Sequence, residues 1–139
     1  MDNVINDNEK FKQMYFYALS HFKGGVTKTK LAKLLYLADF SYFYDNLESM
    51  SGVRYVRREY DSVDDMVKPT TIEKEYDLLT GDEKELLDKI CCFWKDKRTT
   101  EIVNFTHEQK PWKACRDGEY IPYSLIIQEN PNHVYAPID

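Results

Sequence analysis

Apolar residues recur at helical intervals in the first third of the chain and predict two helices. A single apolar face, preceded by possible N-caps at 6–8, predicts a helix over about 8–22 that ends at Gly24-Gly25. The next helix is predicted over about 27–44, and its apolar positions form two stripes: Leu31, Leu34, Leu35, Ala38 and Tyr42, and Leu37, Phe40 and Tyr44. A helix that is apolar on two faces belongs in the centre of a fold, so this segment is predicted to be a central buried helix.

The middle of the chain has a different pattern and predicts a small β element. Val53, Tyr55 and Val56 favour a strand, and 72–78 has a weaker strand pattern. A turn-rich, acidic stretch at 61–65 lies between them. We therefore expect a small hairpin or two-stranded ribbon within 52–79.

Helix signals return in the last third of the chain. Thr80 and Glu83 have the spacing of a capping box and predict a helix through Trp94. Shorter helices are predicted after Thr99 or Thr100, over 111–117 and over about 122–126. The tail at 130–139 contains two prolines and is expected to be loose or extended against a neighbour.

Length and composition fit one compact domain of the mainly α (α+β) class over 1–139. The chain has five glycines and five prolines among 139 residues, which favours helix. No apolar run is long enough to span a membrane, and the polar N-terminus does not resemble a signal peptide. The odd number of cysteines, at 91, 92 and 115, favours reduced thiols and a cytoplasmic location.

Catalytic and metal-binding signatures are absent from the sequence. The cysteines lack the spacing of a structural zinc site, and there is no H-E-x-x-H, G-x-S-x-G or Gly-rich phosphate loop. We therefore expect a protein that is not an enzyme and that binds no metal or cofactor, although residues distant in sequence can still assemble into a site.

One basic segment leaves DNA binding open as an alternative. Four lysines lie around the Gly-Gly turn between the first two helices, an arrangement similar to a helix-turn-helix: Lys23, Lys28, Lys30 and Lys33. The net charge of −5 and the two apolar faces of the second helix argue against this function, because a recognition helix presents polar residues to the groove.

Three motifs, in order along the chain, resemble the Panacea (SocA-like) antitoxin domain family. Residues 27–40, TKTKLAKLLYLADF, are similar to its K-L-x-K-L-L-Y-x-A opening. Residues 101–113, EIVNFTHEQKPWK, are similar to its E-L-S-x-x-(S/T)-H-x-x-x-P-W segment, and 118–123, GEYIPY, match its closing G-x-x-I-x-Y. The resemblance covers about 10–128, with a departure at 61–63, where Asp-Ser-Val replaces the usual Gly-Pro-Val and a shortened segment follows.

The resemblance implies a role in the toxin–antitoxin systems of bacteria and phages. Members of the family are compact, mainly helical proteins that neutralise toxins by binding them, so the expected partner is a cognate toxin protein. Two alternatives remain: a phage or mobile-element regulator that binds DNA, and a proteolytic adaptor that delivers a partner to a protease.

The residues matched by the first two motifs are interpreted as structural. Thr106 is expected to cap the turn that enters 107–109, and Trp112 to anchor a helix that begins at Pro111. A catalytic or ligand-binding role for His107 remains as an alternative. The full set is Lys30, Leu31, Lys33, Leu34, Leu35, Tyr36, Thr106, His107, Pro111 and Trp112.

An arginine- and tyrosine-rich segment is the predicted contact with the partner. Both residue types are enriched at interface hot spots, and five of them lie close together: Arg54, Tyr55, Arg57, Arg58 and Tyr60. On a strand, one set would pack on the domain while the other meets the partner. The alternative interpretation is a solvated ribbon whose arginines pair with Asp61, Asp64 and Asp65.

Overall fold

The computed structural model describes residues 4–5, 7–58, 65–71 and 74–138 and confirms a mainly helical fold with small β ribbons. The helices are α1 (Glu9–Leu19), α2 (Lys28–Asn46), α3 (Gly81–Trp94), α4 (Thr99–Glu108) and α5 (Lys110–Lys113). Two 3₁₀ turns follow at Tyr123–Gln128 and Pro131–His133. Within the described residues, no helix combines the length and apolar character needed to cross a bilayer.

Helix α2 lies at the centre of the core. Its residues from Thr29 to Ser41 are all buried or nearly so, because α1, α3, α4 and the first 3₁₀ turn pack around it. Thr27 caps its start by accepting a hydrogen bond from the Lys30 N–H. The helix ends at Leu47, which adopts the left-handed conformation with φ of 60°.

Side-chain caps fix the start of the other two long helices. Asn8 accepts from the Phe11 N–H at the start of α1. Thr80 and Glu83 form both halves of the predicted capping box at the start of α3. Glu83 is buried and also receives the Lys10 ammonium at 2.6 Å, so this cap ties α3 to α1.

The small β element consists of two antiparallel ribbons whose pairing differs from a hairpin. β1 (Val4–Ile5) pairs with β3 (Arg54–Tyr55), and β2 (Val26–Thr27) pairs with β4 (Met66–Val67). The two strands of the middle segment, β3 and β4, therefore do not pair with each other. Each pairs with a short strand that precedes a helix, β1 before α1 and β2 before α2. The predicted strand at 72–78 is not formed over 74–78, where the chain is coil and turn, and 72–73 lie outside the described residues.

A third segment extends the first ribbon. Residues 118–121 run along the other side of β3, with a bridge between Val56 and Tyr120 and a hydrogen bond from the Ile121 N–H to the Tyr55 carbonyl. β3 is therefore the central strand of this ribbon. Its inward side chains reach the core, and its outward side chains face solvent.

The C-terminal segment is packed, which corrects the expectation of a loose tail at 130–139. Val134 and Ala136 are buried, and the Trp94 indole N–H donates to the Tyr135 carbonyl at 2.8 Å. The Gln109 amide donates to the carbonyls of both His133 and Val134. The segment closes the core over α3 and α4 instead of extending toward a neighbour.

Candidate functional site

Three basic side chains converge on the ring of Trp112. The His107 imidazole stacks on the indole, with ring centroids 4.0 Å apart and an interplanar angle of 11°. Lys33 Nζ lies 4.2 Å from the centre of the indole, and the Arg57 guanidinium lies 5.2 Å from it. We call Lys33, Arg57, His107 and Trp112 the Trp112 cluster.

Four separate segments deliver these side chains. Lys33 comes from α2, Arg57 follows β3, and His107 lies in the last turn of α4. Gln109 has an extended backbone that separates α4 from α5, and Pro111 in the first turn of α5 sets the direction of Trp112. Arg57 Nη1 donates to the carbonyl of Trp112 at 2.9 Å and also to that of Cys115, so it fixes the end of α5.

Lys33 is the most buried member of the cluster. The residue is only 2% exposed, and its Nζ lies 3.4 Å from His107 Nε2. A buried ammonium loses its water shell, and an aromatic face can replace part of that shell through its quadrupole. The indole face and the imidazole nitrogen thus stabilise this charge inside the domain.

A second polar network surrounds Asp39, six residues further along α2. Its carboxylate is fully buried and accepts hydrogen bonds at 2.7 Å from the Ser51 N–H, the Ser51 hydroxyl and the Tyr55 hydroxyl. Burial raises the pKa of Asp39 to about 6, and these hydrogen bonds limit the rise. The network fixes the loop that leads from α2 to β3.

With this geometry established, comparison with known families identifies the domain. The family model described as antitoxin SocA-like, Panacea domain matches residues 31–113. This match spans more than half of the chain. The chain belongs to this family. Comparison with curated proteins and with solved structures found no match.

The Panacea match contains most of the residues singled out in the first two motifs. It includes Lys33, His107 and Trp112, so the cluster lies within the family domain, whereas Lys30 and the motif at 118–123 lie just outside the matched span. The apolar motif residues on α2 are all buried in the core: Leu31, Leu34, Leu35 and Tyr36. Lys30 is also buried, and its ammonium donates to the carbonyls of Lys95 and Lys97, which follow α3.

Thr106 occupies a different place from the one predicted. It lies within α4, and its hydroxyl donates to the Val103 carbonyl at 2.9 Å, so it does not cap the turn that follows. The difference arises because α4 continues through His107 to Glu108 before the chain extends at Gln109. The hydroxyl therefore hydrogen-bonds to the preceding turn of its own helix, as threonine inside a helix commonly does.

The Panacea domain separates the five predicted partner-binding residues into two groups. Tyr55 is only 1% exposed and donates to Asp39, and Arg57 lies in the Trp112 cluster, so these two form the set that packs on the domain. Arg54 is exposed, and Arg58 is partly buried with Nη1 near Gly118. Tyr60 lies outside the described residues, as do Asp61 and Asp64, which were predicted ion-pair partners of the arginines.

Two of the four lysines in the basic segment considered for DNA binding are buried in the core. Lys30 and Lys33 are buried, which leaves Lys23 and Lys28 exposed on either side of the Gly-Gly turn. Burial also lowers the pKa of Lys30. Because nearly all of α2 between Thr29 and Ser41 is buried, this part of the helix is not placed to enter a DNA groove.

The thiols have no arrangement suited to metal chemistry in the described part of the chain. Cys91 and Cys115 are buried and Cys92 is exposed, and all three are free. Burial raises the pKa of the Cys91 thiol to about 12, which keeps it protonated. Among the residues that the structure describes, no three ligand-type side chains form a metal-binding group.

The Asp39 network was missed by the sequence analysis. One signal for it existed: Asp39 lies between Ala38 and Phe40 inside the predicted central buried helix. A carboxylate at such a position requires buried hydrogen-bond donors. Its donors, however, lie on a loop and a strand that the sequence pattern describes poorly.

Proposed function

We propose that this protein is a non-enzymatic antitoxin of a bacterial or phage toxin–antitoxin system, which neutralises a cognate toxin in the cytoplasm by direct binding. The observation that carries the proposal is the Panacea family match over 31–113. Members of an antitoxin family act on a protein partner, and binding requires a rigid surface with exposed anchor side chains. The complex would block the active site of the toxin or hold the toxin in an inactive shape.

The outer face of the β3 ribbon supplies such anchors. The Arg54 guanidinium lies 4.6 Å from the centre of the Tyr120 ring, which is 48% exposed. Arg58 lies on the same segment beside Gly118. Arginine and tyrosine are enriched at hot spots because they combine apolar area with directional hydrogen bonding.

The inner face of the same ribbon makes this surface rigid. Tyr55 is hydrogen-bonded to Asp39, and Arg57 is hydrogen-bonded to two carbonyls around α5. Anchors held in place before binding lose little conformational entropy on association. We therefore place the toxin contact at Arg54, Arg58 and Tyr120, with Tyr60 kept as a predicted member.

Co-expression in the host tests the proposal. The probe is the product of a neighbouring gene that stops growth when it is expressed alone, and the wild-type chain should restore growth and co-purify with it. The double variant Arg54→Ala with Arg58→Ala should fold normally and bind at least about tenfold more weakly, because each hot-spot truncation is worth about 1 kcal/mol or more.

A variant with the same change in charge is the matched control. Lys23→Ala with Lys28→Ala removes two exposed positive charges from another part of the surface and should neutralise normally. Full neutralisation by the double arginine variant at equal protein level would contradict the ribbon surface. Loss of an operator gel shift in the double lysine variant would favour the DNA-binding regulator, and disappearance of the toxin over time would favour the proteolytic adaptor.

A further inference from the structure

A group of exposed cations lies where the turn between α1 and α2 meets the loop between α3 and α4. Segments 23–28, 65–68 and 95–98 contain six lysine or arginine side chains and two carboxylates, although the chain as a whole has a net charge of −5. All six cations are exposed. Lys97 turns toward Phe93, with its Nζ 5.3 Å from the ring centre. We call the other five the basic patch: Lys23, Lys28, Lys68, Lys95 and Arg98.

The β2–β4 ribbon joins the first two of these segments. The two strands pair along both of their residues, and the Lys28 N–H donates to the Asp65 carbonyl at 2.9 Å. Gly25 lies so close to β4 that a Cβ in its place would be 3.2 Å from Lys68 Cγ. The side chain of Lys68 therefore lies beside the Gly-Gly turn, next to the segment that carries Lys23.

Two contacts join the third segment to the same turn. The Thr27 and Thr99 hydroxyls are hydrogen-bonded at 2.8 Å. The buried Lys30 ammonium, at the start of α2, donates to two carbonyl oxygens of the loop that follows α3. Lys23 and Lys95 both line a cleft of about 580 Å³ between this turn and the end of α3. The basic patch thus surrounds one concave surface with a fixed backbone.

The cations of the basic patch have no carboxylate partner in the part of the chain that the structure describes. None of the ion pairs formed there includes a member of the patch. Asp65 and Asp96, the two carboxylates of these segments, are themselves exposed. Glu101, in the first turn of α4, accepts from the backbone N–H of Arg98 at 2.6 Å. An excess of unpaired positive charge at one place favours a polyanionic partner.

The composition of the basic patch favours phosphate groups as that partner. Four of its five members are lysine, a residue that is depleted at protein–protein interfaces. Lysine and arginine are also the side chains that neutralise the phosphates of nucleic acids. The outer face of the β3 ribbon differs, because it presents arginine and tyrosine, the types that are enriched at protein contacts. The two surfaces therefore suit different partners.

The negative charge of the rest of the chain does not prevent a local contact with phosphate. Exposed charges more than about 10 Å apart are largely screened at an ionic strength of about 0.1 M. Carboxylates on distant faces therefore act only weakly on a phosphate that touches the basic patch. The net charge of −5 lowers the affinity for a polyanion without abolishing the contact.

From this arrangement we infer that the basic patch binds the phosphate backbone of duplex DNA without reading its sequence. The patch is formed by turns and a loop, and α2 is buried from Thr29 to Ser41, so this end of α2 is not placed to reach base edges in a groove. The inference goes beyond the proposed function, because the patch shares no residue with the toxin contact at Arg54, Arg58 and Tyr120.

Fluorescence anisotropy with the full chain and a labelled DNA duplex of about 30 base pairs and random sequence tests the inference. The wild type should bind at about 50 mM salt, and its affinity should fall roughly 40- to 500-fold by about 200 mM salt, as three to five phosphate contacts require. Two duplexes of unrelated sequence should bind within about twofold of each other. Absence of binding at about 50 mM salt, or a preference above about tenfold for one sequence, would overturn the inference.

Replacement of three lysines locates the contact on the protein. The triple variant Lys23→Gln, Lys68→Gln and Lys95→Gln removes three exposed charges and should leave the melting temperature within about 2 °C of the wild type. It should bind the duplex at least about tenfold more weakly at about 50 mM salt. The slope of log affinity against log salt should become less steep by about 3, because three phosphate contacts are lost.

A variant with the same change in net charge is the matched control. Lys89→Gln, Lys110→Gln and Lys113→Gln replace three exposed lysines outside the basic patch and should leave DNA binding within about threefold of the wild type. Equal losses in the two triple variants would show that net charge alone determines binding and would overturn the inference.

The toxin is the alternative partner for the same surface. The triple variant of the basic patch should neutralise the toxin as the wild type does, since the proposed toxin contact lies on the β3 ribbon. Loss of neutralisation together with unchanged DNA binding would assign the patch to the toxin and would overturn the inference.

Discussion

The two charged residues buried in α2 are stabilised by different chemistry. Lys33 and Asp39 are six residues apart, which is about 9 Å along the helix axis. The cation lies against the face of Trp112 and beside an imidazole nitrogen, with partners 74 and 79 residues away in the chain. The anion accepts three short hydrogen bonds from Ser51 and Tyr55, which are 12 and 16 residues away.

This difference separates a long-range contact from a local one. The contacts of Lys33 join α2 to α4 and α5, so they depend on the assembly of the whole domain. The hydrogen bonds of Asp39 fix only the loop between α2 and β3. Direct hydrogen bonds to a carboxylate are also individually stronger than a cation–π contact. We therefore expect the hydrogen bonds of Asp39 to contribute more to the stability of the fold than the contacts of Lys33 do.

Removal of the Asp39 carboxylate gives the largest expected effect. Asp39→Ala leaves the Ser51 N–H, the Ser51 hydroxyl and the Tyr55 hydroxyl without their acceptor inside the core. We expect the free energy of unfolding to fall by roughly 3–5 kcal/mol, measured by urea denaturation at pH 7. Asp45→Ala, at an exposed position of the same helix, is the control and should change it by less than about 0.5 kcal/mol. Equal effects of the two substitutions would show that the buried network contributes nothing.

The pH dependence of stability tests the same carboxylate without removing its shape. The pKa of Asp39 is about 6 in the folded protein, against about 3.9 for an aspartate in an unfolded chain. Between about pH 4 and pH 6 the folded state therefore binds more protons than the unfolded state, and the free energy of unfolding falls as the pH rises.

The whole fall, from below pH 3 to above pH 7, is about 3 kcal/mol, of which about 2 kcal/mol lie between pH 4 and pH 7. Asp39→Asn cannot ionise at this position, so subtraction of its stability from that of the wild type cancels the titration of all other groups. The difference should favour the wild type by about 2 kcal/mol more at pH 4 than at pH 7. Parallel stability curves for the two proteins would contradict the raised pKa.

Local signals made most of the helices predictable. The capping box of Thr80 and Glu83 formed as predicted, and the two-sided apolar pattern of α2 placed it in the core. The pairing of two-residue strands was not predictable, because so short a segment has no periodicity to indicate its partner. The packing of the tail through Val134 and Ala136 was missed for a similar reason, since these are isolated apolar residues among polar ones.

The candidate site was predictable only as a set of residues. The resemblance indicated Lys33, His107 and Trp112, but only the fold shows that they meet at one ring. The alternation predicted for a strand was informative at 54–55, where Arg54 is exposed and Tyr55 is buried. Whether an arginine faces a partner or the core depends on contacts from segments far along the chain, as the inward position of Arg57 beside Trp112 illustrates.

The smallest expected effect is the coupling between Lys33 and Trp112. Lys33→Met keeps the length of the side chain and removes the charge, while Trp112→Leu keeps an apolar group and removes the ring face. A double-mutant cycle built from these variants should give a coupling free energy of about 1–2 kcal/mol, as expected for a desolvated cation–π contact. Lys97 lies over a different ring, with its Nζ 5.3 Å from the centre of Phe93, so Lys97→Met combined with Trp112→Leu is the control and should be additive. A coupling near zero for Lys33 and Trp112 would mean that groups other than the indole stabilise the buried ammonium. The difference between Lys33 and Asp39 would then not be that an aromatic face stabilises one and hydrogen bonds stabilise the other.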